Sequence, residues 1–187
     1  MTLAEEKQLV KKARSDPEAF GVLFDHYYPK IFGYVHKRVL DFEAAKDITS
    51  EVFFKSYTHL WKFRWQGISI SSWFYRIATN EINAYFRKKR YRPQSLQKLI
   101  DEYGFNPLDP QTTEEEKKAA ERQLQQHQDF LTIHSKLKYL PLKYQEVISL
   151  KNFEGMRIRE IAEILHKKEG TVKSLLSRGL EKLRHLL

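Results

Sequence analysis

Apolar side chains recur at steps of three and four along most of the chain, and that period is the tightest limit on its fold. Phe20, Leu23, Phe24 and Tyr27 form one stripe; Ile31, Tyr34, Val35 and Val39 carry a second beyond Pro29. At 3.6 residues per turn, each set lies on one face of an α-helix. Strand-like alternation is nearly absent, so the sequence predicts an all-α fold. Start signals agree: Ser15 or Asp16 can cap a helix whose first turn holds Pro17. Further helices are expected over 43–60, over WFYRIATNEINAYFRKKR with Ser71 or Ser72 as its cap, and near 130–139, 141–152, 157–165 and 170–185. Pro141 opens the second of these last four, and Gly155 breaks the chain before the third.

Charge divides the chain. The formal net charge is +9, a balance that favours nucleic acid or an anionic membrane over ordinary solubility charge. Positive residues gather in RKKRYR (87–92) and again toward the C-terminus. The stretch from Asp101 to Asp129 is net acidic through Glu114, Glu115, Glu116 and Glu121, and Pro93, Pro107 and Pro110 interrupt the helical pattern between 93 and 129. This predicts two helical domains, 1–92 and 130–187, joined by a flexible acidic linker, 93–129. Cysteine is absent, which excludes disulfides and thiolate metal sites. No run is apolar enough to span a bilayer, and no signal-peptide core opens the chain. The expectation is a cytoplasmic, soluble protein without membrane insertion.

RIREIAEILHKKEGTVKSLLSRGLEKL has the form of a helix-turn-helix. Ile158, Ile161, Ala162 and Leu165 face a core, His166 to Glu169 turn the chain, and Val172, Leu176, Leu180 and Leu183 are expected to be buried. The opposite face of the second helix carries Lys173, Ser174, Ser177, Arg178 and Glu181. A recognition helix needs such a face, because Lys and Arg reach guanine acceptors or phosphates and Ser bonds either. Thr171 and the free N–H groups of the first turn suit a phosphate oxygen, and Arg157, Arg159 and Lys143 can hold the backbone around it. The plain alternative is a solvated face on a helical hairpin.

Two features of the N-terminal half point outward as well. Asp47 and Glu51 lie four apart on one helix, with Glu43 a turn earlier, and an acidic stripe in a basic chain suits a basic protein partner. Lys46 and Lys55 offer the plain alternative of i,i+4 pairing. WKFRWQGISISS (61–72) mixes aromatic rings with Lys62 and Arg64, the combination that holds an unpaired base. Asn80, Asn83 and Arg87 follow at helical spacing, and Ile77 and Ala78 can floor an apolar pocket. Against this, at least one of Trp61, Phe63 and Trp65 belongs in a core, and Trp73, Phe74 and Tyr75 are packing residues.

GTVKSLLSRGLEKLR, with LPLKYQEVISLKNFEGMRIREIAEIL before it, resembles the C-terminal domain of bacterial sigma factors of the extracytoplasmic-function group. Response-regulator output domains share a similar motif, but no α/β receiver pattern precedes it here. Instead AFGVLFDHYYPKIFGYVHKRV, EAAKDITSEVFFKSY and SSWFYRIATNEINAYFRKKR resemble the second region of the same sigma group, in the same order.

The resemblance implies a sigma factor that binds core RNA polymerase and promoter DNA, duplex and melted. Asp47, Ser50 and Glu51 would dock on the clamp coiled coil of the largest subunit. Arg64, Trp65, Ile77, Ala78, Asn80, Asn83 and Arg87 would hold the melted −10 element. Thr171, Lys173, Ser174, Ser177 and Arg178 would read the −35 element. It also implies an anti-sigma partner and a linker threaded toward the RNA exit path. Two residues depart from the family pattern: Ser50 stands where Gln is usual, and Ala84 where an acidic residue is usual.

No catalytic set is visible. His26, His36, His59, His127, His134, His166 and His185 are scattered, without partners at metal spacing, and there is no P-loop or dinucleotide fingerprint. No enzyme, cofactor or metal is expected. A stand-alone helix-turn-helix regulator would account for the C-terminal half but not for the acidic helix or the aromatic loop. A small nuclease would need a carboxylate or histidine cluster, and an RNA adaptor a sheet.

Overall fold

The computed structural model describes residues 1–65, 67–88 and 129–187, and all regular structure among them is helical. The all-α expectation holds. Most of the expected linker, 93–129, lies outside the described residues, as do 89–92 of the basic run.

The N-terminal module has four helices: α1 (Leu3–Lys12), α2 (Pro17–Val39), α3 (Phe42–Thr58) and α4 (Ser71–Lys88). Asp16 caps α2, its carboxylate accepting from the Glu18 N–H at 2.9 Å, with Pro17 in the first turn. Pro29 does not divide the helix, and the two apolar stripes belong to one 23-residue element. The missing proline N–H would have bonded the Asp25 carbonyl, and both residues are exposed, so the break faces water. α2 stops at Leu40 in the left-handed region (φ 49°), and Asp41 caps α3 through the Ala44 N–H at 3.0 Å.

α2, α3 and α4 pack on one another and α1 lies against α2. Leu23, Ile31, Val35, Ala45, Val52, Ile70, Phe74 and Ala78 have no exposed surface. α3 ends two residues earlier than expected and passes into a 3₁₀ turn, Leu60–Lys62. α4 begins at Ser71, but its first turn is met by a different hydroxyl: the Ser71 N–H donates to Ser69 Oγ at 3.1 Å.

The C-terminal module consists of α5 (129–137), α6 (Leu142–Ile148) with a wide π turn over Ser149–Phe153, α7 (Ile158–Leu165) and α8 (Glu169–Arg184). Gly155 sits at φ 66° between α6 and α7, the break expected of it, and His166 takes the left-handed turn (φ 51°) between α7 and α8. The core face of α8 is rotated from expectation. Val172, Gly179 and Leu183 are buried, whereas Leu176 and Leu180 are only half-buried. A Cβ on Gly179 would lie 3.1 Å from Ile148 and 3.2 Å from Tyr144, so the missing side chain sets how closely α8 crosses α6. Of the four residues expected to face the core from α7, Ile161 and Ala162 are buried and Ile158 and Leu165 half-buried, while Ile164 is buried as well, because α7 packs against α4 as well as α8.

His134 of α5 docks at the end of α2, 8% exposed, against the Lys37 and Arg38 backbone. Burial, and then the positive charge of Arg38, lowers its pKa to about 4. The unfolded chain therefore binds a proton that the folded chain rejects. The resulting stability is complete above the ordinary histidine value of about 6.5 and is lost as pH falls from there toward 4. The loss is on the order of 3 kcal/mol. The midpoint of denaturant melts should fall more between pH 7 and 4 in the native chain than in His134→Gln; parallel pH profiles would refute the assignment.

Candidate nucleic-acid interface

α8 presents the expected basic, hydroxyl-bearing face. Thr171, Lys173, Ser177 and Arg178 are exposed and Ser174 is half-buried. Ser174 and Arg178 lie one turn apart, and the Arg178 guanidinium donates to Ser174 Oγ at 2.8 Å. The helix begins at Glu169, capped by no side chain, so Thr171 stands in its first turn among N–H groups free to meet an anion. Arg157, Arg159 and Lys143 are exposed as well.

On α3, Glu43, Asp47, Ser50 and Glu51 are all exposed on one side, opposite buried Ala45, Ile48, Thr49 and Val52. Lys55 bridges Glu51 at 3.1 Å and Glu81 of α4 at 2.8 Å, and Glu81 and then Glu51 raise its pKa. Asp47 has no ion pair among the described residues. The same side continues into Phe54 (63% exposed), Tyr57 and Trp61 (69% exposed), which sequence reading did not place there. The signal was present: 47, 50, 54, 57 and 61 run at steps of three and four.

The loop after α3 and the start of α4 enclose a cleft of about 220 Å3, lined by Lys62, Phe63, Arg64, Ile68, Ser69, Ser72, Trp73 and Arg76, with Glu163 of α7 at one side. Phe63 and Trp73 form its aromatic wall, ring centroids 5.3 Å apart. Three cationic side chains beside two rings suit a flat, electron-rich group attached to a phosphate chain. Of the residues expected here, Arg64 lines the cleft. Trp65 packs beside Phe63 on the edge of the core. Ile77 is half-buried outside the lining, and Ala78 corrects the expectation of a pocket floor: with no exposed surface, it belongs to the core under α4. Phe74 and Tyr75 are core residues as expected, but Trp73 is a wall. Asn80 and Arg87 are exposed.

Asn83 is engaged elsewhere, its Nδ2 donating to Glu146 of α6. It is one of several polar ties between the modules. Arg76 donates to the Glu163 and Ile164 carbonyls, at the negative end of α7. Glu154 accepts from Tyr75 Oη at 2.9 Å and pairs with Lys37 at 3.0 Å. Burial, and then Glu154, raise the Tyr75 pKa, so the phenol keeps the proton it donates. Part of the α4 face therefore lies against the C-terminal module. Among the described residues no cluster of His, Asp or Glu has the makings of a metal site, and no helix is long and apolar enough to cross a membrane.

Comparison with known proteins names the class that these surfaces define. The model of sigma-70 region 2 matches residues 23–92, and that of sigma-70 region 4 matches residues 130–183. The chain belongs to the sigma-70 family of RNA polymerase sigma factors, in its extracytoplasmic-function group. It is 30% identical to the extracytoplasmic-function sigma factor SigW of Bacillus subtilis, over 100% of this chain and 98% of SigW. Among solved structures it resembles CnrH in complex with the cytosolic domain of CnrY (TM-score 0.68, 18% identity, 97% of this chain and 96% of that one). It also resembles the sigma factor RpoE in complex with the anti-sigma factor NepR from Bartonella quintana (TM-score 0.61, 18% identity, 89% and 95%). As a sigma factor it binds core RNA polymerase and directs promoter-specific initiation through −10 and −35 elements. The family comprises initiation factors rather than enzymes.

Proposed function

We propose that the two modules divide the promoter between them, with 1–92 holding polymerase and the melted −10 element, 130–187 reading the −35 element as duplex, and 93–129 linking the two. The observation that carries this is the pairing, in one chain, of the outward acidic-aromatic side of α3 with the outward basic-hydroxyl side of α8. A stand-alone regulator has use for α8 alone. Asp47, Ser50 and Glu51 dock on the clamp coiled coil of the largest polymerase subunit, with Phe54 beside them to bury apolar surface. Ser50 offers a shorter reach than the usual Gln, so the flanking carboxylates carry more of that contact.

In the −10 region, the Phe63–Trp73 cleft takes an unpaired base, Lys62, Arg64 and Arg76 meet the phosphates, and Asn80 and Arg87 extend the track along α4. Asn83 and Arg76 reach DNA once α4 parts from α6 and α7. The linker runs toward the RNA exit path. The protein acts in the cytoplasm, where its polymerase is. An anti-sigma protein holds it inactive; the likeness to a factor solved with NepR supports that partner.

In vitro transcription with purified core polymerase and a pool of promoter fragments tests the reading: start sites that depend on this chain are expected. The double substitution Asp47→Lys, Glu51→Lys should lower core affinity by at least roughly tenfold, since reversed rim charges slow association and repel the basic partner. Duplex binding through α8 should be unchanged. Core affinity equal to that of the native chain would remove α3 from the interface.

A further inference from the structure

Glu6 of α1 is 3% exposed, and among the described residues no cation pairs with it. A carboxylate in that position is costly unless donors surround it. One oxygen, Oε1, accepts three: Tyr27 Oη at 2.7 Å, Ser69 Oγ at 2.9 Å and the Ile70 N–H at 2.9 Å. Ser69 in turn accepts the Ser71 N–H that opens α4. The acceptor thus sits where the loop becomes the helix, near the positive end of the α4 dipole. At the other end of the same loop, Arg14 donates to the Phe63 carbonyl at 2.6 Å. Both ties come from the first fourteen residues, ahead of the 23–92 stretch matched to region 2.

Between these ties, Gly67 turns the chain at φ 74°. The segment they bracket supplies Phe63, Arg64, Ile68 and Ser69 to the cleft. We propose that Glu6 is a positioning residue for −10 recognition. It fixes Ser69 and Ile70 where the chain enters α4, and so the spacing of the Phe63–Trp73 wall, before DNA arrives. Without it the loop must be ordered as the base binds, and that cost is subtracted from the stacking of the base. The inference rests on the cleft being the site of the unpaired base.

The test uses holoenzyme on a pre-melted promoter bubble carrying either the normal −10 bases or an abasic site at the captured position. Stacking of one base corresponds to roughly 5- to 150-fold in affinity, so the native chain should prefer the intact base by at least about fivefold. Glu6→Ala should lower that preference to about twofold or less at unchanged core affinity, and acrylamide should quench the loop tryptophans more readily. Glu6→Gln keeps an acceptor oxygen in place and should restore most of the preference. Ser69→Ala removes one donor and should give an intermediate value, which decides the matter if Glu6→Ala does not fold. A native preference that survives both Glu6→Ala and Ser69→Ala overturns the role of Glu6 and leaves the cleft standing. No native preference for the intact base overturns the cleft itself, and the role of Glu6 with it.

Discussion

Phe74→Ala is expected to destabilise the N-terminal module by about 3–5 kcal/mol, the range for removing a buried ring that its surroundings cannot fill. Phe74 has no exposed surface and touches three rings: Tyr27 at 5.3 Å, Phe53 at 5.3 Å and Trp73 at 6.0 Å between centroids. These come from α2, α3 and α4, so one cavity would loosen all three contacts. A module of this size has about 5–15 kcal/mol in total, and the loss is a large part of it. Denaturant titration should show a lower midpoint with little change in slope. Trp61, 69% exposed, is the control, and its alanine variant should stay within about 0.5 kcal/mol of the native chain. The effect also reaches function, because Trp73 is the next residue and forms a wall of the cleft. A cost below about 1 kcal/mol for Phe74→Ala would mean that the aromatic core is far more plastic than its packing indicates.

Helical period and cap chemistry made the architecture legible in the sequence. Asp16, Pro17 and Gly155 sit where their local chemistry places them. What escaped sequence reading depends on contacts between elements. Leu176 and Leu180 read as core by spacing, yet the crossing of α8 over α6 is centred on Gly179, whose lack of a side chain carries no hydropathy signal. Ala78 read as a pocket floor because nothing local reveals that α4 is buried on that side. Ser69 rather than Ser71 or Ser72 meets the first turn of α4 because Glu6, 63 residues earlier, holds its hydroxyl. Nothing in the sequence sets Glu6 apart from its charged neighbours Glu5 and Lys7. Exposed positions were easier. The faces of α3 and α8 are set by the period of one helix, and Asp47, Glu51, Lys173, Ser177 and Arg178 are all on the surface.

Arg178→Ala should lower initiation at promoters with the preferred −35 element by roughly 10- to 100-fold, the worth of one good guanidinium contact to a base. Arg178 is exposed on α8, and its guanidinium is already held by Ser174 Oγ at 2.8 Å. That bond restrains a side chain that otherwise loses rotamer freedom on binding, so the fork enters the groove partly ordered. Ser174→Ala should therefore weaken the same step less than Arg178→Ala does, by about threefold, without changing which base is preferred. Base reading and phosphate holding give different signatures. If Arg178 reads a guanine, Arg178→Ala should flatten discrimination at one or two upstream positions and leave others intact. If it holds a phosphate, binding should fall evenly across upstream sequences, and the salt slope should drop by about one. Quantifying holoenzyme initiation on promoters varied base by base, at two salt concentrations, separates the two. Core binding should not change, since α3 is in the other module. An Arg178→Ala factor with native upstream preference and native salt dependence would show that this face of α8 does not meet DNA.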